Sequence, residues 1–361
     1  MPASRITFDR DGDLLLRLTS PAKDQNDEAS SEQSVEIPTV TPTSSTSSVA
    51  KDLESTLLLH KEVHMLVSSK HLTLASPVFK AMLKSNFCTG ELLTSHDVAE
   101  IELPDEDPEA FEILMNILHG RVRQVPKQIN LKLATKLAII VDKYLVLEPV
   151  EIYVRQWLSS LRKWMPEGFN SNILPWLCVS WVFRMEDDFQ WISRMAVRES
   201  VRKLETFDLP ILSTVLDAIE HKRQSGIAEM LRHIEALHSA CSEPSICDNP
   251  EYTEQQKSSC QYIIQGTLVN SLCAERLWPL PETPHEGLSL KRVLQSVRKL
   301  VIASLEDCKL CSKKWKDPLE HGWTGRHLAA MAEKIEREAN GLEISAFRKE
   351  ARLKRSTIWI Q

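Results

Sequence analysis

The chain has 361 residues, 42% of them hydrophobic and 26% charged, with a formal net charge of −6. That apolar fraction suffices for a buried core and excludes wholesale disorder, and the length predicts two domains of ordinary size. Ten glycines leave little for phosphate-cradling loops, and no G-x-S-x-G, P-loop or G-x-G-x-x-G motif occurs. No apolar run approaches the roughly 18 residues of a membrane span. Met1–Arg10 carries charge and lacks the apolar stretch of a secretory signal. Eight cysteines are too sparse for a disulfide scaffold. The expectation is a soluble intracellular protein, cytoplasmic or nuclear, with no membrane partner. From Lys291 to Gln361 there are 16 Lys and Arg against 9 Asp and Glu, so a basic tail follows an acidic body carrying −13. An acidic body argues against a dedicated nucleic-acid fold.

In chain order, Asp11-Gly12 marks a turn and Asp13–Leu18 reads as a buried strand. Ser20–Asp52 holds 8 Ser, 4 Thr and 3 Pro and no aromatic residue, so it reads as a disordered insert at 20–52 that cannot offset its ordering entropy. Phosphorylation there would add charge to the insert. Thr56–His60 and Val63–Val67 read as strands of a hairpin turning at Lys61-Glu62. Ser68 or Ser69 caps a short helix bearing Leu72 and Leu74. Ser76-Pro77 starts a clearer one, with Phe79, Met82 and Leu83 on its apolar face. Ile101–Leu103 is a brief strand. Asp107-Pro108 repeats the cap-and-proline device ahead of Phe111, Leu114, Met115 and Leu118, with an end near Gly120. Leu131–Tyr144 is a further helix.

Beyond residue 150 the pattern is helical, over Val150–Trp164, Ile173–Phe183, Phe189–Leu204, Pro210–Ile219 and Ile227–His238. Five of the nine tryptophans lie between Trp157 and Trp191. Core packing is the favoured reading for them, and an exposed recognition surface the alternative.

The segments GDLLLRL, LASPVFKAML and DPEAFEIL…LHGR…LA…VDKY resemble BTB/POZ domains, in particular those of proteins common in filamentous fungi. The resemblance covers about residues 8–150. It implies a small sheet with a helix cluster, a protein–protein interaction module that is often dimeric and has no catalytic centre. Asp13 matches the acidic position of the family's first strand. Ser68 and Ser69 stand where many members carry a His and a basic residue, so the charged dimer pocket of some members does not carry over. Family members that recruit substrates to a cullin scaffold show an apolar-x-Glu motif after the third helix. In the corresponding loop, Phe87–Ala99, the nearest match is Val98-Ala99-Glu100.

Cysteine and histidine supply the one constellation with metal-ligand spacing. Cys308 and Cys311 form C-x-x-C, with His321 downstream and Cys241, Cys247, Cys260 and Cys273 upstream. Two thiolates from a tight turn, His321 and one upstream cysteine would make a structural zinc site. No second pair follows at finger spacing, and Leu300–Leu310 reads as a helix with both thiols on one apolar face, so core packing is the favoured reading. His60 and His64 read as polar residues of a half-exposed sheet. The carboxylates of Glu102–Glu109 read as helix capping. Arg348, Lys349, Arg352, Lys354 and Arg355 form a basic cluster, read first as a solvated terminal helix face and second as a nuclear-import or nucleic-acid patch.

The expectation is an α+β BTB/POZ fold over residues 8–150, an α-helical region over 151–300 and a Cys-containing helical tail over 301–361. The function expected is non-enzymatic protein binding without a cofactor, with the helical half as a second docking surface. Candidate contact residues are Asp13, Phe79, Met82, Val98 and Glu100. Partners would be other proteins: a second copy, or a cullin-type ubiquitin-ligase scaffold that the protein serves as substrate adaptor. A DNA-associated regulator using the basic tail is a further alternative.

Overall fold

The computed structural model describes residues 4–20, 61–88, 98–242, 247, 250–303 and 325–348. The chain divides into two units, Met1–Ser160 and Leu161–Gln361.

In the first unit, β1 (Ser4–Thr7), β2 (Leu14–Ser20), β3 (Lys61–Val67) and β4 (Ala99–Leu103) form one sheet in the order β1-β3-β2-β4. β2 and β3 run antiparallel, and the two outer pairings are parallel. Strand alternation sends Leu14, Leu16, Leu18, Val63, Met65, Val67, Ile101 and Leu103 into the core. Each such side chain contributes about 1.5–3 kcal/mol by leaving water.

The expected turn at Lys61-Glu62 is corrected: both residues belong to β3, opposite Ser20 and Thr19. Glu62 sits on the solvent face and receives Arg17, so a charged dipeptide that looks like a turn simply continues the alternation. The proposed strand Thr56–His60 lies outside the described residues, as does the insert beyond Ser20. β1 was not expected. Its one large apolar residue is Ile6, and parallel pairing with β3 holds it.

Helices α1 (Ser69–Ala75), α2 (Pro77–Cys88), α3 (Pro108–Leu118), α4 (Leu131–Tyr144) and α5 (Leu147–Leu161) follow. Their starts are local chemistry. Ser76 Oγ accepts the Phe79 N–H at 3.1 Å and donates to the Tyr144 carbonyl at 2.6 Å. Asp107 accepts from Ala110 at 3.0 Å and Asn130 from Leu133 at 2.8 Å. α4 stops where Leu145 turns left-handed, φ 53°. Tyr144 then locks the cluster: Phe79 stacks on it at 4.4 Å, Phe111 meets it edge-on, and its hydroxyl donates to buried Glu106 at 2.7 Å. Burial, then the Glu106 charge, pushes the Tyr144 hydroxyl far above its ordinary range, so it stays a donor.

Among its described residues the second unit carries helices and no strand: α6 (Ile173–Val182), α7 (Glu186–Glu199), α8 (Ser213–Ser242), α9 (Glu254–Ala274), α10 (Leu290–Arg298) and α11 (Gly325–Glu338). The two helices expected over Pro210–Ile219 and Ile227–His238 are one, because the polar stretch between them is helical too. Its Arg223 is fully buried, and Gly226 lets α10 come close: a Cβ there would stand 3.0 Å from the Leu290 side chain. α9 was not expected, although Thr253 and Gln256 form a capping box at its start. The tryptophan reading holds for Trp157, Trp176 and Trp181, which are buried. It is corrected for Trp164, 80% exposed, and Trp191, on which Arg194 rests at 4.6 Å.

Candidate interaction surface

With the even positions of β2 and the odd positions of β3 facing the core, their alternates form a polar outer face. Register places Arg5, His64, Arg17 and Glu102 side by side across all four strands. Arg17 donates to Glu62 through Nε at 2.9 Å and also reaches Glu102 at 3.4 Å and Glu100 at 3.6 Å. His64 Nε2 shares the same Glu62 oxygen at 2.8 Å. Hydrogen bonds from His64 and Arg17 hold the Glu62 carboxyl below the usual carboxylate range, while Glu62 raises the Arg17 guanidinium.

A second cluster forms where α1 begins. The Asp13 carboxylate accepts the Ser69 N–H at 2.7 Å and its hydroxyl at 2.6 Å. Beside it, the Ser68 N–H donates to His119 Nε2 at 3.0 Å, which leaves Nδ1 to donate to the Met115 carbonyl at 2.9 Å. Burial lowers the affinity of His119 for a second proton, and His71 lowers it further.

The expected contact residues fall in different places. Asp13 is exposed and tied to Ser69. Val98 and Glu100 are exposed at the start of β4, and Met82 is half-buried. Phe79 is corrected: it is fully buried against Tyr144 and offers no surface. Helical spacing marks an apolar face but does not say whether another element covers it. Leu74 shows the reverse case. It shares α1 with buried Leu72 yet stands 89% exposed. Val122 and Ile152 are further exposed apolar residues of this unit, and Trp164, Trp191, Val201 and Phe207 are exposed in the second.

Cys308, Cys311 and His321 lie outside the described residues, as does the basic cluster beyond Arg348, which itself bonds Glu186 at 2.6 Å. Of the upstream cysteines, Cys241, Cys247 and Cys260 are buried and Cys273 is exposed. Burial pushes the Cys241 thiol up to about 11, which keeps it protonated. Among the described residues no group of three His, Cys, Asp or Glu is placed to hold a metal ion, and no described helix is long and apolar enough to cross a membrane.

The first unit is thus a small mixed sheet with a helix cluster, and the sheet presents a charged outer face. The family model for the BTB/POZ domain matches residues 50–153, so the chain contains a BTB/POZ domain, an α+β protein-interaction module, followed by a mainly helical region. The matched stretch starts after β2, although β2 is paired with both β3 and β4 in the sheet. No curated protein matches the chain.

Proposed function

We propose that the protein is a docking protein with two binding surfaces, one on the BTB/POZ module and one on the helical unit, and that it acts by association, without catalysis. The observation that carries this reading is that large apolar side chains face solvent in both units. Leu74 does so on the module, and Trp164 and Phe207, 72% exposed, do so on the helical unit. Aromatic and aliphatic anchors of this kind dominate binding energy where a partner desolvates them. Affinity purification of the full chain tests this, comparing wild type with Leu74→Asp and with Phe207→Asp. Each change should remove a different set of partners. Identical partner sets in all three would overturn the reading.

A second reading, a substrate adaptor for a cullin-type scaffold, is favoured by the exposure of both Val98 and Glu100 in the apolar-x-Glu triplet. Under it, a cullin co-purifies with the wild type and is lost with Val98→Asp. Absence of any cullin from the wild-type purification would remove this reading.

A further inference from the structure

The two edges of the sheet are not alike. Among the described residues, β1 pairs with β3 alone and β4 with β2 alone. At the β1 edge, Arg121 donates to the Thr7 carbonyl at 3.0 Å while its guanidinium lies 5.1 Å over the Phe8 ring. That contact caps a four-residue strand from the side a new strand would approach. At β4 the Ala99 N–H donates to the Asp13 carbonyl at 3.3 Å, which fixes the direction of the ladder. Ala99, Ile101 and Leu103 therefore turn their N–H and C=O groups toward β2. Glu100 and Glu102 turn theirs outward, away from the sheet.

The side chains follow the same alternation. Ile101 and Leu103 are buried, while the Glu100 and Glu102 carboxylates stand on the outer face, 53% and 75% exposed. Arg17 reaches both, but its closest contact is Glu62 at 2.8 Å. The outward edge thus combines hydrogen-bonding groups of two alternate residues with two carboxylates on one face. A strand laid beside β4 would set its own alternate side chains opposite those carboxylates.

We propose that the β4 edge receives an extended segment of a partner protein carrying Lys or Arg at two alternate positions. The backbone ladder to Glu100 and Glu102 supplies the docking, and the two cations answer the carboxylates. β4 of a second copy is disfavoured as occupant, since it would bring glutamate against glutamate, and like charges directly opposite repel. The same carboxylates discourage neutral and acidic strands, so a short charged edge that protects against indiscriminate pairing also selects its partner. This inference rests on the reading of the module as a docking surface and adds the chemistry of one ligand class.

The test is fluorescence anisotropy with the full chain at low ionic strength and a labelled decapeptide of Thr and Val with Lys at its fifth and seventh positions. A matched peptide with Glu at both positions is the comparison. The Lys peptide should bind at least tenfold more tightly. Glu100→Lys combined with Glu102→Lys should invert the preference, and the milder pair Glu100→Gln and Glu102→Gln should abolish it. Backbone N-methylation of the Lys peptide along the edge that faces β4 should weaken binding about tenfold with its charge unchanged. Equal binding of the two peptides, no inversion, or indifference to N-methylation would each overturn the proposal. If it fails while Leu74→Asp still removes partners from the full chain, the docking reading stands and only the β4 edge is withdrawn.

Discussion

Asp13 and Ser69, 56 residues apart, are joined by two hydrogen bonds of 2.7 and 2.6 Å from the Ser69 backbone and hydroxyl to one carboxylate. α1 has no acidic residue in its own first turn, and the Ser68 side chain makes no cap bond. The helix therefore takes its N-terminal carboxylate from the loop ahead of β2, where it satisfies an orphan N–H and meets the positive end of the dipole. Asp13 and Ser69 occupy the positions where resemblance to the family would pair an acid with a base. Here the charge of the acid is answered by a helix start.

Asp13→Ala should lower stability by about 1 kcal/mol at pH 7, as loss of a helix cap does. Burial raises the Asp13 carboxyl, but the bonds from Ser69 outweigh it and hold the group below its ordinary range. With the folded value depressed, the contribution is complete above the unfolded value, near pH 4, and disappears as pH falls through the folded value. Urea denaturation should therefore show a gap between wild type and variant at pH 7 that narrows toward pH 3.

His119 makes a prediction of its own on the neighbouring contact. Its neutral ring bridges the end of α3 to the start of α1, accepting from Ser68 and donating to Met115. A second proton on Nε2 would point at the Ser68 N–H, with Arg121 and His71 opposing it and Asp9 favouring it. The folded value lies below that of the unfolded chain, so this stabilisation is complete above about pH 6.5 and declines as pH drops toward the folded value. His119→Phe strands the buried Ser68 N–H and should cost about 1–3 kcal/mol at pH 7.5. In stability measured from pH 7.5 to 5, the variant should lose part of the wild type's acid sensitivity. An unchanged slope would mean that other groups set it.

What was legible in the sequence was local. Ser76-Pro77, Asp107-Pro108 and the bounds of α4 are determined by caps and by residues three or four apart, and all stand where the pattern placed them. What escaped depends on distant partners. β1 exists because β3 pairs with it, and α8 continues through a polar stretch because Arg223 finds its acceptors some 60 residues later. The contact surface was half legible for the same reason. Apolar spacing marked both Phe79 and Leu74, and only tertiary packing decided that the first is core and the second faces water.

Two glycines should respond to alanine with opposite sign. A Cβ on Gly341 would overlap the Gln190 backbone in α7, at the point where the chain after α11 docks through the Leu342 N–H on Ser193 at 2.7 Å and through buried Ile344. Gly341→Ala should lift this strap at a cost of about 1–3 kcal/mol or more and speed tryptic cleavage near Arg348. Gly266, inside α9, has nothing within 4 Å of its would-be Cβ. Gly266→Ala should raise stability by about 0.5–1 kcal/mol through helix propensity. A thermal-shift comparison of the two variants checks both signs together.

Arg223 carries the largest predicted loss. Its guanidinium has no exposed surface. It grips Glu220 through Nε at 2.9 Å and a terminal nitrogen at 2.7 Å, and spends its other terminal nitrogen on the carbonyls of Leu288 at 2.6 Å and His285 at 3.2 Å. One planar fork thus ties α8 to the chain leading into α10. Arg223→Met removes the cation, leaves the Glu220 carboxylate to Gln224 at 2.8 Å and takes the guanidinium from the Leu288 and His285 carbonyls, which should cost about 3–5 kcal/mol, the range for breaking a buried charged pair. Burial raises the Glu220 carboxyl, but bonds from Arg223 and Gln224 bring it below the usual range. Its share of the stability is therefore lost only as pH falls below the ordinary carboxylate range, and the Met variant should have a flatter acid limb. Arg223→Lys should recover only part of the loss, because an ammonium cannot hold a carboxylate with two parallel bonds and two carbonyls at once. A Lys variant as stable as wild type in urea would mean that positive charge alone, without the fork, holds this junction.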